Sequence, residues 1–427
     1  MVIYIIKPGD SLWSIARTYR VSPERLMADN GITNPSALVV GQAILILIPE
    51  QVHTVAQGET LSTIAASYNT TVTALLQNNP DLALNPALYP GQQITISYRN
   101  ERTRNITVNG YAYTYINRDV LVQTLPYLTT LTIFGYGFTE AGALIPIDDE
   151  PLIALARQFR VAPIMLISSI TEDGTFSGTR ASRLFNDLTL QNTLIAQIIT
   201  TMTQKGYTGL DVDFEYIRPE DSAAYVRFLE NVATQLHAEG FTVHVDLAPK
   251  TSATQPGLLY EGHNYREIGR IADSVLLMTY EWGYTYGPPM AVAPVNKVRE
   301  VVEYAITEIP VQKIQMGIPN YAYDWTLPFV QGTSRAAGIG NEQAVRIAAQ
   351  YNAAIQFDTL AQTPFFTYWD YDGREHIVWF EDARSIRAKL GLIQEFTLAG
   401  AGYWNIMRPF TQNWLLLSQT FFITKLL

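Results

Sequence analysis

Gly209-Leu210-Asp211-Val212-Asp213-Phe214-Glu215-Tyr216 sets three carboxylates at alternate positions inside an apolar run. On a β-strand, residues two apart share a face, so Asp211, Asp213 and Glu215 line one side, roughly 7 Å apart at ~3.3 Å rise per residue. Leu210, Val212 and Phe214 then face a core. Such a row cannot be fully ionised in a low-dielectric site, because like charges raise one another's pKa. A carboxylic acid that keeps its proton near neutral pH is what a general acid requires. Two plainer readings compete, a polar edge strand and a calcium loop. An EF-type loop wants a Gly soon after the third acidic ligand and a later Glu, but Tyr216-Ile217-Arg218-Pro219 comes next here. A solvated edge has no need of the apolar flanks. The stretch predicts a buried strand carrying catalytic acids.

Outward from it, apolar strand-like runs alternate with amphipathic stretches. The runs cover 106–115, 130–138, 163–170, 209–214, 242–247, 274–280, 313–319 and 402–407, with helical patterns such as 192–205 and 221–239 between them. Eight strands with helices between them predict an α/β fold, a parallel (β/α)8 TIM barrel. The seventh and eighth strands lie much further apart than a crossover needs. The aromatic stretches 365–370 and 376–380 in that gap predict a small α+β insertion at about 325–378. The polar segment 99–105 reads as a linker to whatever precedes the barrel.

A chain of 427 residues is expected to form two or three domains. With 16% charged and 48% hydrophobic residues it is a packed globular protein rather than a disordered one. The net charge of −10 argues against nucleic acid and against general adhesion to anionic membranes. Without cysteine there is no disulfide, thiolate metal site or cysteine nucleophile. Five unclustered histidines give little support for zinc, so neither metal nor cofactor is expected. No apolar run approaches a membrane span, and the opening Met1-Val2-Ile3-Tyr4-Ile5-Ile6-Lys7-Pro8 is too quickly broken for a signal peptide. The expectation is a monomer made in the cytosol without Sec-type export.

The first hundred residues hold a repeat. Lys7-Pro8-Gly9-Asp10-Ser11-Leu12-Trp13-Ser14-Ile15-Ala16 recurs as Ala56-Gln57-Gly58-Glu59-Thr60-Leu61-Ser62-Thr63-Ile64-Ala65. Tyr19 matches Tyr68, Asn30 matches Asn79, and Gly41-Gln42 matches Gly91-Gln92. Each copy reads strand, helix, helix, strand, with Ser22-Pro23 as N-cap and first helical residue of a second helix. The two copies, at 1–49 and 50–98, resemble LysM modules, which bind N-acetylglucosamine-containing glycans such as peptidoglycan and chitin. The resemblance places a groove between the strand–helix turn and the loop before the last strand. It implies Gly9, Asp10, Ser11 and Asn34 in the first copy and Gly58, Glu59, Thr60 and Asn85 in the second.

Residues 106–427 resemble the family-18 glycoside hydrolases, whose signature ends in Asp-x-Asp-x-Glu on the fourth strand. Leu166-Ile167-Ser168-Ser169, Met278-Thr279-Tyr280-Glu281 and Gly402-Tyr403-Trp404 stand in the family's order. With paired LysM modules, the chain is most similar to spore cortex-lytic N-acetylglucosaminidases. The resemblance implies retaining, substrate-assisted cleavage of β-1,4 bonds after N-acetylglucosamine in peptidoglycan, in the spore cortex or coat or at the cell wall. It makes Glu215 the acid and base, Asp213 the partner of the acetamido N–H and Asp211 the residue sharing a proton with Asp213. Tyr280 would bond the acetamido oxygen and Trp404 would floor the sugar. Met278, Tyr136, Tyr321, Asn320 and Trp282, at or near strand ends, are candidates for lining the groove. The chain departs from the family at Thr208 and Glu281, where Asp is usual, and at Ser168-Ser169-Ile170, which lacks the usual paired glycines. A chitinase and a non-hydrolytic coat protein that only binds glycan remain the alternatives.

Overall fold

The computed structural model describes residues 1–427. Eight parallel strands close a barrel: Asn105–Tyr113, Thr130–Phe138, Ala162–Ser168, Gly209–Asp213, Thr242–Leu247, Ser274–Leu277, Ile314–Pro319 and Gly400–Trp404. The first pairs with both the second and the eighth, which completes the closure. Long helices, among them Leu188–Lys205 and Ser222–Ala238, cover the outside. Their apolar faces meet the outward residues of the strands; Leu210, Val212, Leu229 and Val232 belong to one core. Phe214 packs edge-on against Phe185 and Phe228, so the apolar flanks of the acidic row anchor the fourth strand to the helix layer.

Between the seventh and eighth strands lies a five-stranded antiparallel sheet formed by Ala322–Thr326, Ala337–Ile339, Gln356–Asp358, Thr363–Trp369 and Glu375–Trp379. Helix Asn341–Gln350 packs on one face of it through Ala344 and Ala348, against Phe366 and Val378. The insertion thus runs from 322 to 379. Its first strand starts almost directly where the seventh barrel strand ends, so it rises as a wall from the barrel mouth.

Each N-terminal repeat folds as strand, two helices and strand. In the first, Val2–Ile5 pairs antiparallel with Ala43–Ile46 around helices Leu12–Tyr19 and Pro23–Asp29. In the second, Pro49–Thr54 pairs with Gln93–Tyr98 around Leu61–Ser67 and Val72–Asn78, and a short helix Asp81–Leu84 is added. Ser11 and Thr60 cap the first helices with matching boxes to Ser14 and Thr63. The repeated asparagines are structural: Asn30 donates to the carbonyls of Leu26 and Leu45, and Asn79 to those of Leu75 and Thr95.

Segment 99–105, expected as a linker, is docked. Thr103 N–H donates to Thr420 O at 3.0 Å, and the Arg104 guanidinium donates to the carbonyls of Ile393 and Leu398. The last helix, Thr411–Thr420, is the shared mount. Gln412 donates to Asn30 and to Ala43 O at 2.8 Å, and Gln419 donates to Asn78 at 3.0 Å. Leu45, Leu47 and Tyr98 from the repeats join the barrel's own core.

Candidate active site

Inside the barrel, alternation puts Asp211 and Asp213 inward, buried, one above the other. Glu215 stands two residues beyond the strand's end and is open to solvent at the mouth. Tyr111, on the first strand, donates to Asp211 Oδ2 at 2.9 Å and is 2.7 Å from Asp246 Oδ1, bridging two acids across the barrel. Below them Asn109 Oδ1 accepts from Thr130 and Thr132. The interior is polar where such barrels are more often filled by branched apolar side chains.

Electrostatics follow from this burial. Desolvation pushes the Asp211 carboxyl up to about 7, against the hydrogen bonds of Tyr111 and Thr132, which pull the other way. Asp213 is raised well above the usual carboxylate range by burial, then by Glu215 and Asp211. Asp246 is raised in the same way by burial, Asp211 and Asp213. Glu215, although open to the groove, has enough protein around it that desolvation raises its carboxyl, with Glu281 adding to the shift. Burial and mutual repulsion thus favour the protonated forms across the array, and Glu215 is its one member that faces the open mouth.

Tyr280 stands past the sixth strand, buried among Asp246, Asp213 and Glu215; burial and these charges hold its phenol well above the usual range, so it remains a donor. The neighbouring Thr279 hydroxyl ties to Gly317 O at 2.7 Å and fixes the turn. At Gly317 an added Cβ would come within 2.8 Å of the Tyr280 ring, so the bare backbone there is what leaves the phenol its place. Glu281 has a φ of 67° and accepts hydrogen bonds from the hydroxyls of Tyr321 and Tyr323. Trp404, the last residue of the eighth strand, is held edge-on by Tyr111, Tyr113 and Phe134 at ring separations of 5.4–5.9 Å.

Most of the expected site residues converge on this mouth, but some do not. Tyr136 is buried in the outer layer, where its hydroxyl bonds Asp149 at 2.6 Å and Lys205 at 3.1 Å. Thr130, Thr132 and Phe134 point inward as alternation requires. A register irregularity between Ile133 and Tyr136, at Gly135 with φ 145°, then turns Tyr136 outward. Asn320 braces the loop behind Trp404, donating to the carbonyls of Asn405 at 3.1 Å and Arg408 at 2.9 Å, rather than facing the groove. Met278 is half-buried between the barrel interior and the outer core, and Trp282 is half-buried with its backbone N–H on Val292 O. His244 sits on the fifth strand between Thr242 and Ser274, neutral, with burial lowering it to about 4.

In the repeats, most of the expected contact residues shape the turns. Asp10 accepts from Tyr4 at 2.9 Å and Lys7 N–H at 2.7 Å; Glu59 takes the matching place with His53 and Ala56, both at 2.7 Å. Gly9 and Gly58 hold φ values of 86° and 84° in those turns. Ser11 and Thr60 are caps, Asn34 accepts from Ser36 N–H, and Asn85 is exposed after the short added helix. A groove does open between Asp10–Leu12 and residues 35–38 in the first repeat, and it carries Trp13, which is 57% exposed. Sequence reasoning gave no site role to Trp13, Tyr111 or Tyr323, and noted Glu281 only as a departure from the family pattern. The alternation Asn109, Tyr111, Tyr113 on the first strand was the available signal for Tyr111.

Comparison with known proteins agrees with this geometry. A family model for Glycosyl hydrolases family 18 matches residues 126–408, and one for the LysM domain matches 4–47 and 53–97. The chain is 42% identical to the cortical fragment-lytic enzyme of Bacillus subtilis, over 100% of this chain and 99% of that protein. The crystal structure of the Bacillus megaterium spore cortex-lytic enzyme SleL superposes with a TM-score of 0.84 at 38% identity, covering 100% of this chain and 99% of that one. A chitinase from Chromobacterium violaceum, 23% identical with a TM-score of 0.69 over 74% of this chain and 98% of that one, shares the fold. The acids on the fourth strand, the tyrosine and tryptophan that face them and the matched segments make this chain a member of glycoside hydrolase family 18, with two LysM domains at its N-terminal side.

Proposed function

We propose that the chain is a retaining, substrate-assisted N-acetylglucosaminidase that cleaves β-1,4 bonds after N-acetylglucosamine in peptidoglycan, with spore cortex as its substrate. The observation that carries the reading is the stacked row Asp211, Asp213, Glu215, buried below and open above, with Tyr280 beside it and Trp404 across from it. Glu215 protonates the glycosidic oxygen as the C1–O bond breaks, and the substrate's own acetamido carbonyl oxygen bonds to C1, giving an oxazolinium. Asp213 accepts the acetamido N–H and balances the positive charge that grows there. Asp211, tied to Tyr111, takes part in the proton sharing that lets Asp213 change state. Tyr280 donates to the acetamido oxygen and steers it to C1; Trp404 floors the distorted ring. Water then adds to C1 as the oxazolinium C1–O bond breaks and the acetamido group is restored, while Glu215 takes a proton from the water. Family 18 is an exception to the scheme in which a second enzyme carboxylate is the nucleophile.

The cortex assignment draws on the full-length relatives in Bacillus, and the LysM domains supply wall attachment through N-acetylglucosamine polymers. On this reading the protein acts at the spore. Mass spectrometry of products from cortex fragments, vegetative peptidoglycan and chitin oligomers tests it, with Glu215→Gln as control. New reducing N-acetylglucosamine ends on cortex fragments support the reading. Cleavage of chitin alone makes the chain a chitinase, and no cleavage of any polymer makes the barrel a binding protein. Glu215→Gln should lower turnover by about 10³-fold or more with an unchanged melting temperature, on the scale of removing a general acid–base; retained turnover would take Glu215 out of that role.

A further inference from the structure

Where the first LysM domain meets the insertion there is a pocket of about 80 Å³, room for a small polar group and a few waters. One wall is the face of helix Asn341–Gln350 that carries Asn341, Val345 and Ala349, spaced four apart. The opposite wall is the loop of the LysM domain around Ile32 and Ala37. This seam is firm. Ile355 N–H donates to Val40 O at 2.9 Å, and an added Cβ on Gly41 would lie 1.9 Å from Ile355 O. In the second repeat the matching Gly91 stands clear of other atoms.

The buried polar groups around the pocket are nearly all spoken for. Asn30 and Gln412 bond each other and nearby backbone, Gln42 accepts from Val39 N–H, Glu342 accepts from Thr411, and Glu381 pairs with Lys389 at 2.9 Å. Asn341 is the exception. It is 2% exposed, its oxygen accepts from Glu381 N–H, and its amide nitrogen has no partner. A buried donor left unpaired is unfavourable because it has lost its water, so the site wants an acceptor. Burial raises the Glu342 carboxyl, and a carboxyl on this wall suits a neutral ligand better than an anion.

The pocket also adjoins, through shared lining residues, the groove of the first LysM domain. It shares Ala37 and Ala349 with a neighbouring cleft, and that cleft shares Ser36 and Leu38 with the groove beside Trp13. We propose that this pocket takes the acetamido group of a glycan that runs from the first LysM groove across the seam, so that LysM domain and insertion bind one chain as a single site. The carbonyl oxygen accepts from Asn341, and the methyl packs on Ile32, Val345 and Ala349. The proposal rests on the reading of the LysM domains as binders of N-acetylglucosamine polymers.

Hydrogen exchange of full-length Glu215→Gln protein with and without tetra-N-acetylchitotetraose tests it. Exchange should slow at 341–344 and 348–355 as well as at 9–13. In a Val345→Phe background, where the pocket is filled, slowing at 341–355 should vanish and slowing at 9–13 should persist; Ala37→Phe blocks the same seam from the other side if the first variant does not fold. Slowing at 9–13 with 341–355 unchanged overturns the proposal and leaves the pocket to water. Slowing at neither place overturns the LysM reading and this proposal together, while product analysis still judges the catalytic reading separately.

Discussion

At the scale of single residues, the acids are linked through neighbours rather than standing alone. Glu281 is one such neighbour. Its negative charge raises Glu215, so Glu281→Gln should let Glu215 ionise at lower pH and move the alkaline limb of kcat/KM to lower pH. A pH–rate profile with an unmoved limb would remove Glu281 from that role. Asp211 gives a second test, in stability. Its folded pKa of about 7 lies above the ~3.9 of an unfolded Asp, so its contribution is fully present below about pH 4 and is lost as pH rises through 7. Asp211→Asn should therefore gain melting temperature relative to the parent between about pH 4 and pH 7; a constant difference across that range would refute the shift. Period-two alternation made Asp211, Asp213 and Glu215 legible in the sequence. Nearness to a strand end misplaced Tyr136, because a one-residue irregularity at Gly135 reverses the facing of the residues after it and leaves no sign in hydrophobicity. Glu281 and Tyr323 meet across 42 residues of chain, a separation that no local pattern encodes.

At the scale of elements, the eight strands were readable within a few residues because buried parallel strands are near-continuous apolar runs. The sixth is the instructive shortfall. The expected 274–280 ends at Leu277, and Tyr280 N–H then bonds back to Met278 O in the turn that aims the phenol. The seventh strand guards this turn through Gly317. An added methyl would meet Leu277 O at 2.5 Å and the Tyr280 ring at 2.8 Å. Gly317→Ala should destabilise by about 1–3 kcal/mol, the usual scale of overpacking, and lower kcat at least tenfold by displacing Tyr280. Thermal melts and steady-state kinetics check both; wild-type kcat in the variant would mean that the ring has room to move.

At the scale of the whole molecule, the repeats were legible as units while their mounting was not. Gln77, Asn78, Gln412 and Gln419 belong to no motif in the sequence, yet they form the buried seam between domains. Removing residues 1–98 would expose the last helix, in which eight consecutive residues from Gln412 to Gln419 are buried. The truncated chain should melt several degrees lower and show new apolar surface to a hydrophobic dye. A melting temperature equal to that of the full chain would show that the seam adds nothing to stability. The docked segment 99–105 has a further consequence. A flexible tether lets a bound enzyme sample many positions around its anchor, so its effective concentration at a cleavage site falls smoothly with distance. Here Thr103 and Arg104 hold that segment to the barrel, so the spacing from grip to cut is fixed like the jaw of a calliper. Polymer whose strands run at that spacing and angle is cut at high local concentration, and polymer that does not is hardly cut at all; the layout of the wall itself becomes part of the specificity.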